Sequence, residues 1–123
     1  MEFKTERPIY RQIADYCFAR ILAGEWPPGS RIPSVRELAV MMTVNTHTVL
    51  KAFEFLQSHG IIAPRRGMGF YLTDDAPQRI AATRREDFFS STVPALAEEM
   101  RLLGITPDQL LEALAATTAT VHN

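Results

Sequence analysis

The sequence lacks the features of a membrane protein, a disulfide-rich protein or a disordered one. Its 123 residues include one cysteine, so no intramolecular disulfide can form, which agrees with a reducing compartment. No apolar run approaches ~18 residues, the length that spans a membrane. The first ten residues, MEFKTERPIY, are charged and lack the apolar core of a signal peptide. With 46% hydrophobic and 22% charged residues, the composition predicts an ordered globular protein of the cytoplasm.

The sequence also lacks the patterns of an enzyme or a metal site. It has no metal-ligand spacing and no glycine-rich phosphate loop of the P-loop type. The three histidines, at positions 47, 59 and 122, are not accompanied by a nucleophile in any arrangement typical of a catalytic triad. We therefore predict no catalytic residue, no metal and no cofactor.

The chain has little net charge, −1, but its charges are unevenly distributed. Residues 1–73 carry nine Lys+Arg and six Asp+Glu, whereas residues 74–123 carry four and eight. A nucleic-acid-binding protein needs a basic face and not a basic whole, so the small net charge does not exclude DNA as a partner. The change of sign predicts two parts, residues 1–74 and residues 75–123.

The stretch Val35–Leu72 contains two predicted helices joined by a very short turn. Ser34 and Glu37 fit an S-x-x-E capping box, so the first helix begins after Ser34. Asn45 is a good N-cap for the second helix, and Gly60 ends that helix. Two helices joined in this way cross sharply, as in a helix-turn-helix.

Two short apolar runs, Ile61–Ala63 and Phe70–Leu72, predict a β-hairpin after the second helix. Its predicted tip, Arg65–Gly69, is basic and flexible. A hairpin alone is marginal in water, so we expect it to pack on the helices as a wing. The predicted fold is mainly α with a small β-wing, a winged helix-turn-helix domain.

Apolar spacing predicts which helix faces are buried. A stripe of four residues at intervals of four predicts a first helix with Ile9, Ile13, Cys17 and Ile21 in the core. In the helix after Asn45, the residues predicted to face the core are Val49, Ala52, Phe53 and Leu56. The residues of that helix predicted to lie outside are Thr46, His47, Leu50 and Lys51.

The carboxy-terminal part is predicted to be helical, with an apolar seam. The seam residues recur at intervals of 4, 3, 4 and 3, typical of helix–helix packing, and are Phe89, Val93, Leu96, Met100 and Leu103. Pro94 predicts a kink just before it. Thr106 and Gln109 predict the start of a last helix after Gly104. We expect the seam to join two copies of the chain; the alternative is that the tail folds back on its own domain.

Polar and basic residues from three elements are the candidates for DNA contact. In a helix-turn-helix the start of the second helix lies nearest the base edges, and the start of the first can receive a phosphate. The candidates are Arg31, Ser34, Arg36, Asn45, Thr46, His47, Thr48, Lys51, Arg65, Arg66 and Gly67. Two alternatives stay open, since Asn45 is a cap, a base contact or both, and His47 contacts a base or faces solvent.

The same residues resemble the GntR family of bacterial repressors. The family motifs occur in order in Pro8–Ile13, Pro28–Ala39, Val44–Val49, Gly60–Ile62 and Arg65–Tyr71. The resemblance covers about residues 7–73.

This resemblance implies particular roles. Arg36 is similar to the family's phosphate- and base-contacting arginine. The residues at the family's base-reading positions are Asn45, His47 and Thr48, and those at its wing contacts are Arg66 and Gly67. Many members have glycine where this chain has Thr43 and arginine where it has Thr46.

A tail of about 50 residues resembles the YtrA-type subfamily, in which a short two-helix tail is a dimerisation element. The resemblance thus implies a homodimeric repressor of a near-palindromic DNA operator, with half-sites roughly 10 bp or a multiple apart. Members of this subfamily often act on transporter operons. A small-molecule effector stays unknown, and no membrane partner is expected. The rival interpretation is a winged helix that contacts protein.

Overall fold

The structure, a computed structural model, describes residues 7–121, without the side chains after residue 118. Residues 1–6, on which part of the signal-peptide argument rests, and His122 lie outside this range. The described residues form two compact units, which divide between Thr83 and Arg84. The elements are α1 (Ile9–Leu22), α2 (Val35–Met42), α3 (Thr46–Ser58), β1 (Ile62–Arg65), β2 (Gly69–Leu72), α4 (Ala76–Asp87), a π-helical segment (Phe88–Thr92), α5 (Val93–Leu103) and α6 (Pro107–Val121).

The first unit has one apolar core to which its helices and its hairpin contribute. Phe18 of α1, Leu38 of α2, Phe53 of α3, Ile62 of β1 and Ile80 of α4 are each at most 1% exposed. A mainly helical domain with one small antiparallel sheet confirms the predicted fold class. Burial of this apolar surface is the main source of the stability of such a domain.

The predicted faces of α3 are correct, whereas one predicted core residue of α1 is wrong. The residues predicted to face the core from α3 are all buried, and those predicted outside are all exposed. On α1, Ile13, Cys17 and Ile21 are buried, but Ile9 is 45% exposed. Ile9 is the first residue of α1, and the stripe continues into a helix end that the core does not cover.

The only cysteine, Cys17, lies fully inside the core of the first unit. Burial raises the pKa of its thiol to about 12, because the thiolate would lose its hydration. At neutral pH the side chain therefore acts as a small apolar group.

The turn between α2 and α3 has a strained residue. Thr43 has φ of 55° and ψ of 52°, the left-handed conformation that β-branched residues avoid. The next residue closes the turn, as the Val44 N–H donates to the carbonyl of Ala39 at 3.0 Å. This conformation ends α2 and explains why glycine suits the position better than threonine.

The hairpin is longer and tighter than the sequence predicts. Pairing runs from Ile62 opposite Leu72 to Arg65 opposite Gly69, so only three residues form the loop. The N–H of Met68 donates to the carbonyl of Arg65 at 2.8 Å and closes it. The expected flexible tip from Arg65 to Gly69 is therefore wrong in its extent, because both end residues are paired.

An unpredicted third segment lies beside β2 and fixes the wing. The N–H of Ile32 donates to the carbonyl of Phe70 at 3.0 Å, and the N–H of Leu72 donates to the carbonyl of Ser30 at 2.9 Å. Arg31 forms an isolated bridge with Tyr71. The connector before α2 thus holds the wing by backbone hydrogen bonds.

The beginning of α4 belongs to the first unit. Ala76 and Ile80 are fully buried. The Arg79 side chain covers Gly60, where an added Cβ would lie 2.8 Å from the guanidinium. The predicted division at residues 74 and 75 stays a prediction; the compact units divide later, inside α4.

The second unit contains the helical tail, and none of its described side chains is buried. At the place of the predicted kink, a π-helical segment precedes Pro94 at the start of α5. A proline has no N–H and disturbs the preceding turn, which a local π segment accommodates. Gly104, with φ of 68°, ends α5, and Gln109 accepts from the Thr106 N–H at 2.8 Å, so both predicted signals are correct.

Candidate nucleic-acid interface

The start of α3 presents short polar side chains to solvent. Thr46 and His47 are exposed and Thr48 is half-buried. Asn45 caps the helix, since its side-chain oxygen accepts from the His47 N–H at 2.8 Å. This cap does not use the Asn45 amide NH₂, a donor suited to a base or a phosphate. The cap interpretation of Asn45 is confirmed, and it is compatible with a contact.

The start of α2 has the predicted capping box. The Ser34 hydroxyl accepts from the Glu37 N–H at 3.0 Å, and the Ser34 N–H donates to the Glu37 carboxylate at 3.3 Å. The pKa of Glu37 is lowered by hydrogen bonds from the Ser34 backbone N–H and side chain to its carboxylate, and more weakly by the charge of Arg31. Arg36 is exposed in the first turn of this helix. A helix start with a neighbouring arginine suits a phosphate.

The arginines of the wing and its neighbouring segment have different surroundings. The Arg65 guanidinium lies 3.8 Å from the centre of the Tyr71 ring, a cation–π contact. The Arg31 side chain lies along Gly69, where an added Cβ would be 3.2 Å from its Nε. Arg66 is exposed at the tip. Arg31 and Arg65 thus pack against other residues of the wing, whereas the Arg66 side chain is exposed to solvent.

The remaining predicted cation, Lys51, points toward the first helix. Its ammonium lies 4.5 Å from the centre of the Tyr10 ring. Lys51 is exposed on α3, so its charge is available at the surface near the start of α1.

A shallow cavity of about 330 Å³ lies beside the wing tip. Two of its lining residues, Met68 and Tyr71, are not among the predicted DNA-contacting residues. Its lining residues are Arg31, Gly67, Met68, Gly69 and Tyr71. Met68 is 55% exposed although it is apolar. The signal for Met68 was its position between two glycines, and the signal for Tyr71 was the aromatic position of the family motif.

All eleven predicted DNA-contacting residues lie in the first unit, on α2, α3 and its N-cap, the wing and the segment before α2. Their contacts with DNA stay a prediction, and so does the role of the tail seam. Across residues 7–121, no three His, Cys, Asp or Glu side chains are grouped so as to hold a metal ion. In the same range, no helix is long and apolar enough to cross a membrane.

Two protein relatives match this chain over different lengths. The HTH-type transcriptional regulator YhcF of Bacillus subtilis (strain 168) is 32% identical over 117 residues, which cover 95% of each chain. The HTH-type transcriptional repressor YtrA of the same organism is 41% identical over 73 residues, 59% of this chain and 56% of YtrA.

Two solved structures are also similar. A GntR-family transcriptional regulator from Bacteroides thetaiotaomicron has a TM-score of 0.73 and 35% identity, and the alignment covers 94% of this chain and all of that one. The DNA-binding domain of AraR, solved with operator ORR3, has a TM-score of 0.54 and 27% identity over 59% of this chain and 88% of that one.

The family model for bacterial regulatory proteins of the gntR family matches residues 9–72, which contain α1, the helix-turn-helix and the wing. This range agrees with the motifs that suggested the family, and the relatives include YtrA. The chain therefore belongs to the GntR family of DNA-binding transcriptional regulators, with a YtrA-like short helical tail.

Proposed function

We propose that this protein is a homodimeric repressor that acts in the cytoplasm and binds a near-palindromic DNA operator. Each protomer places α3 in a major groove and its wing along the neighbouring minor groove. The two half-sites then lie about 10 bp, or a multiple of that, apart. The observation that carries the proposal is a polar, exposed start of α3 next to a basic wing in a GntR domain.

We infer a role for each of the predicted side chains. Asn45, Thr46 and His47 face the base edges, and Thr48 contacts a phosphate. Arg36 and the α2 start hold a second phosphate, with Ser34 in the cap. On the wing, Arg66 and Gly67 contact DNA directly. The charges of Arg31, Lys51 and Arg65 add to the attraction of the same face for the phosphate backbone. The similar AraR DNA-binding domain was solved in complex with an operator, which supports DNA as the partner of this domain.

The tail supports the dimer because its apolar side chains have no core of their own. Phe89, Val93, Leu96 and Leu103 are between 36% and 65% exposed, and Met100 is partly exposed. Apolar residues repeated at helical spacing and left in water mark a protein–protein interface. A second copy of the seam offers an apolar surface with the same helical spacing, which suits pairing between two tails.

Repression is the proposed outcome because an operator-bound dimer excludes polymerase from an overlapping promoter, and the relative YtrA is a repressor. A transporter operon is the proposed target, on the resemblance to the YtrA-type subfamily. An effector would need to change the free energy between two dimer arrangements by only ~1–3 kcal/mol. We propose no catalytic role, in keeping with a family of transcription regulators.

The test is selection of bound sequences from a random duplex pool with the full chain, at a stated moderate salt concentration. We expect an enriched inverted repeat whose half-site spacing reports the distance between the recognition helices. Arg36→Ala and Arg66→Ala should each weaken binding to the selected site by roughly tenfold or more, because each removes a charge-assisted contact.

The matched control is Arg84→Ala, which removes the same type of side chain from the second unit and should leave affinity within about twofold. All variants are checked for an unchanged circular dichroism spectrum and melting temperature. A folded dimer that enriches no sequence, with or without cell extract, would contradict the proposal. If the arginine variants instead lose binding to a protein partner, the winged helix serves protein contact.

A further inference from the structure

The wing tip exposes an apolar side chain where a DNA-binding loop is expected to be polar. Met68 is 55% exposed, and it lies between Gly67 with φ of 72° and Gly69 with φ of 91°. An added Cβ at Gly67 would have no heavy atom within 4 Å, so the space beside the tip is open.

Contacts within the domain also support the tip. Its loop is closed by the hydrogen bond from Met68 to Arg65. Behind it, Arg65 stacks on Tyr71, and Arg31 is tied to Tyr71 by the backbone bridge. A short, hydrogen-bonded loop with one projecting apolar side chain resembles the loops from which minor-groove proteins insert side chains against base pairs.

We propose that Met68 contacts the floor of the minor groove and makes the wing select A·T over G·C pairs. The inference rests on the proposed function. In the minor groove, A·T and T·A pairs present only acceptors, whereas a G·C pair adds the N2 amino donor of guanine. The Met68 thioether is a weak acceptor and cannot replace the water that this amino group would lose. Burying an unpaired donor is unfavourable, so the apolar contact discriminates against it.

The neighbouring charge acts in the same direction. Arg66 is exposed directly before Gly67 at the tip. The minor groove of A·T-rich DNA is narrow and has an enhanced negative potential that attracts arginine. Arg66 therefore supplies attraction to the A·T-rich groove, and Met68 supplies rejection of the guanine amino group.

The experiment places 2,6-diaminopurine at single adenines of the selected operator and measures the affinity of the full chain by fluorescence anisotropy. This base adds the minor-groove amino group and leaves the major-groove edge of adenine unchanged. We expect one or two adenines per half-site, outside the positions read by α3, at which wild-type affinity falls by about tenfold.

Three variants isolate the side chain. Met68→Leu keeps an apolar group of similar size, so its affinity should fall on the modified duplex as much as that of the wild type. Met68→Ala opens space for water, and Met68→Gln provides an acceptor for the amino group, so both should reduce the loss to about twofold or less. Because every variant is compared on the same two duplexes, a change in DNA stiffness caused by the modified base cancels in the ratio.

Two results would overturn the proposal. One is the absence of any adenine at which the modified base weakens wild-type binding; the other is an equal loss in Met68→Ala, Met68→Gln and the wild type. In either case tight binding to the unmodified operator would leave the proposed function intact. A chain that does not bind the operator would instead contradict the proposed function itself.

Discussion

At the scale of single residues, the backbone conformation of Thr43 matters as much as any contact. Its left-handed φ of 55° ends α2 and sets the tight turn into α3. For a non-glycine residue, this conformation destabilises the folded state by roughly 1–2 kcal/mol, and β-branched residues adopt it rarely. The sequence indicated only that glycine is usual at this position; the structure supplies the reason.

We expect Thr43→Gly to raise the free energy of unfolding by about 1 kcal/mol, because glycine removes the strain although it gains freedom in the unfolded chain. The measurement is urea unfolding followed by circular dichroism. Thr43→Ala is the control, as it removes the side chain but not the Cβ, and should change stability less. If Thr43→Gly lowers stability, the turn is not strained.

At the same scale, two predicted DNA-contacting cations lie against aromatic rings, and the sequence did not predict these contacts. The Arg65 guanidinium contacts the ring of Tyr71, six residues later in the chain. The Lys51 ammonium contacts the ring of Tyr10, which belongs to a different helix. Composition and periodicity indicate which residues are basic, but not which neighbour each one meets after folding. The candidate site could therefore be predicted as a set of residues, and its internal division into supporting and projecting arginines could not.

At the scale of elements, the ends of the helices were predictable because their signals are local. The capping boxes of α2 and α6 and the glycines after α3 and α5 act within a few residues of the chain. The segment that pairs with β2 was not predicted, because the bonds of Ile32 and Ser30 join it to residues about forty positions away. The exposure of Ile9 has a similar cause, since periodicity does not show where a core ends.

The α2 capping box makes the stability of this element depend on pH. Its bonds from Ser34 lower the pKa of Glu37 below the ordinary value of 4.5. A lowered pKa in the folded state means that this contribution is present above the ordinary pKa and is lost as the pH falls through the folded value. Below the folded value, Glu37 no longer favours the folded state.

We therefore expect Glu37→Gln to reduce stability at neutral pH and to flatten its decrease below about pH 4.5. Ser34→Ala should give an intermediate effect, because the Ser34 backbone N–H still donates to the carboxylate. Thermal unfolding at a series of pH values measures both. A decrease at low pH that is equally steep in Glu37→Gln and the wild type would assign it to other carboxylates.

At the scale of the whole molecule, the second unit differs from the first because it has no apolar core of its own among its described residues. No described side chain of the second unit is buried, whereas the first unit has a complete core. Exposed leucines and phenylalanines at helical spacing are costly for a protein that stays a monomer. The proposed dimer gives these residues a partner and brings two DNA-binding units to one operator.

A pair of adjacent leucines tests this directly. Leu103 belongs to the seam and is 65% exposed, whereas Leu102 is 68% exposed and lies about 100° further around α5. We expect Leu103→Glu to reduce the solution mass to 13.8 kDa, that of one chain, and to weaken operator binding by roughly tenfold or more through loss of bivalency. Light scattering after size exclusion gives the mass.

Leu102→Glu adds the same charge at nearly the same exposure and should remain a dimer. Two monomeric variants would show that any charge on α5 disrupts assembly, and two dimeric variants would move the interface away from the seam.

The buried thiol of Cys17 has a practical consequence. A side chain that is 0% exposed with a pKa of about 12 presents almost no thiolate to a maleimide at neutral pH. The natural chain can thus be used for fluorophore or spin labelling without first replacing Cys17. A single cysteine introduced at an exposed position such as Gln57, on the outer side of α3, would carry one probe per protomer. The distance between the two probes would then report how far apart the recognition helices stand, with and without operator.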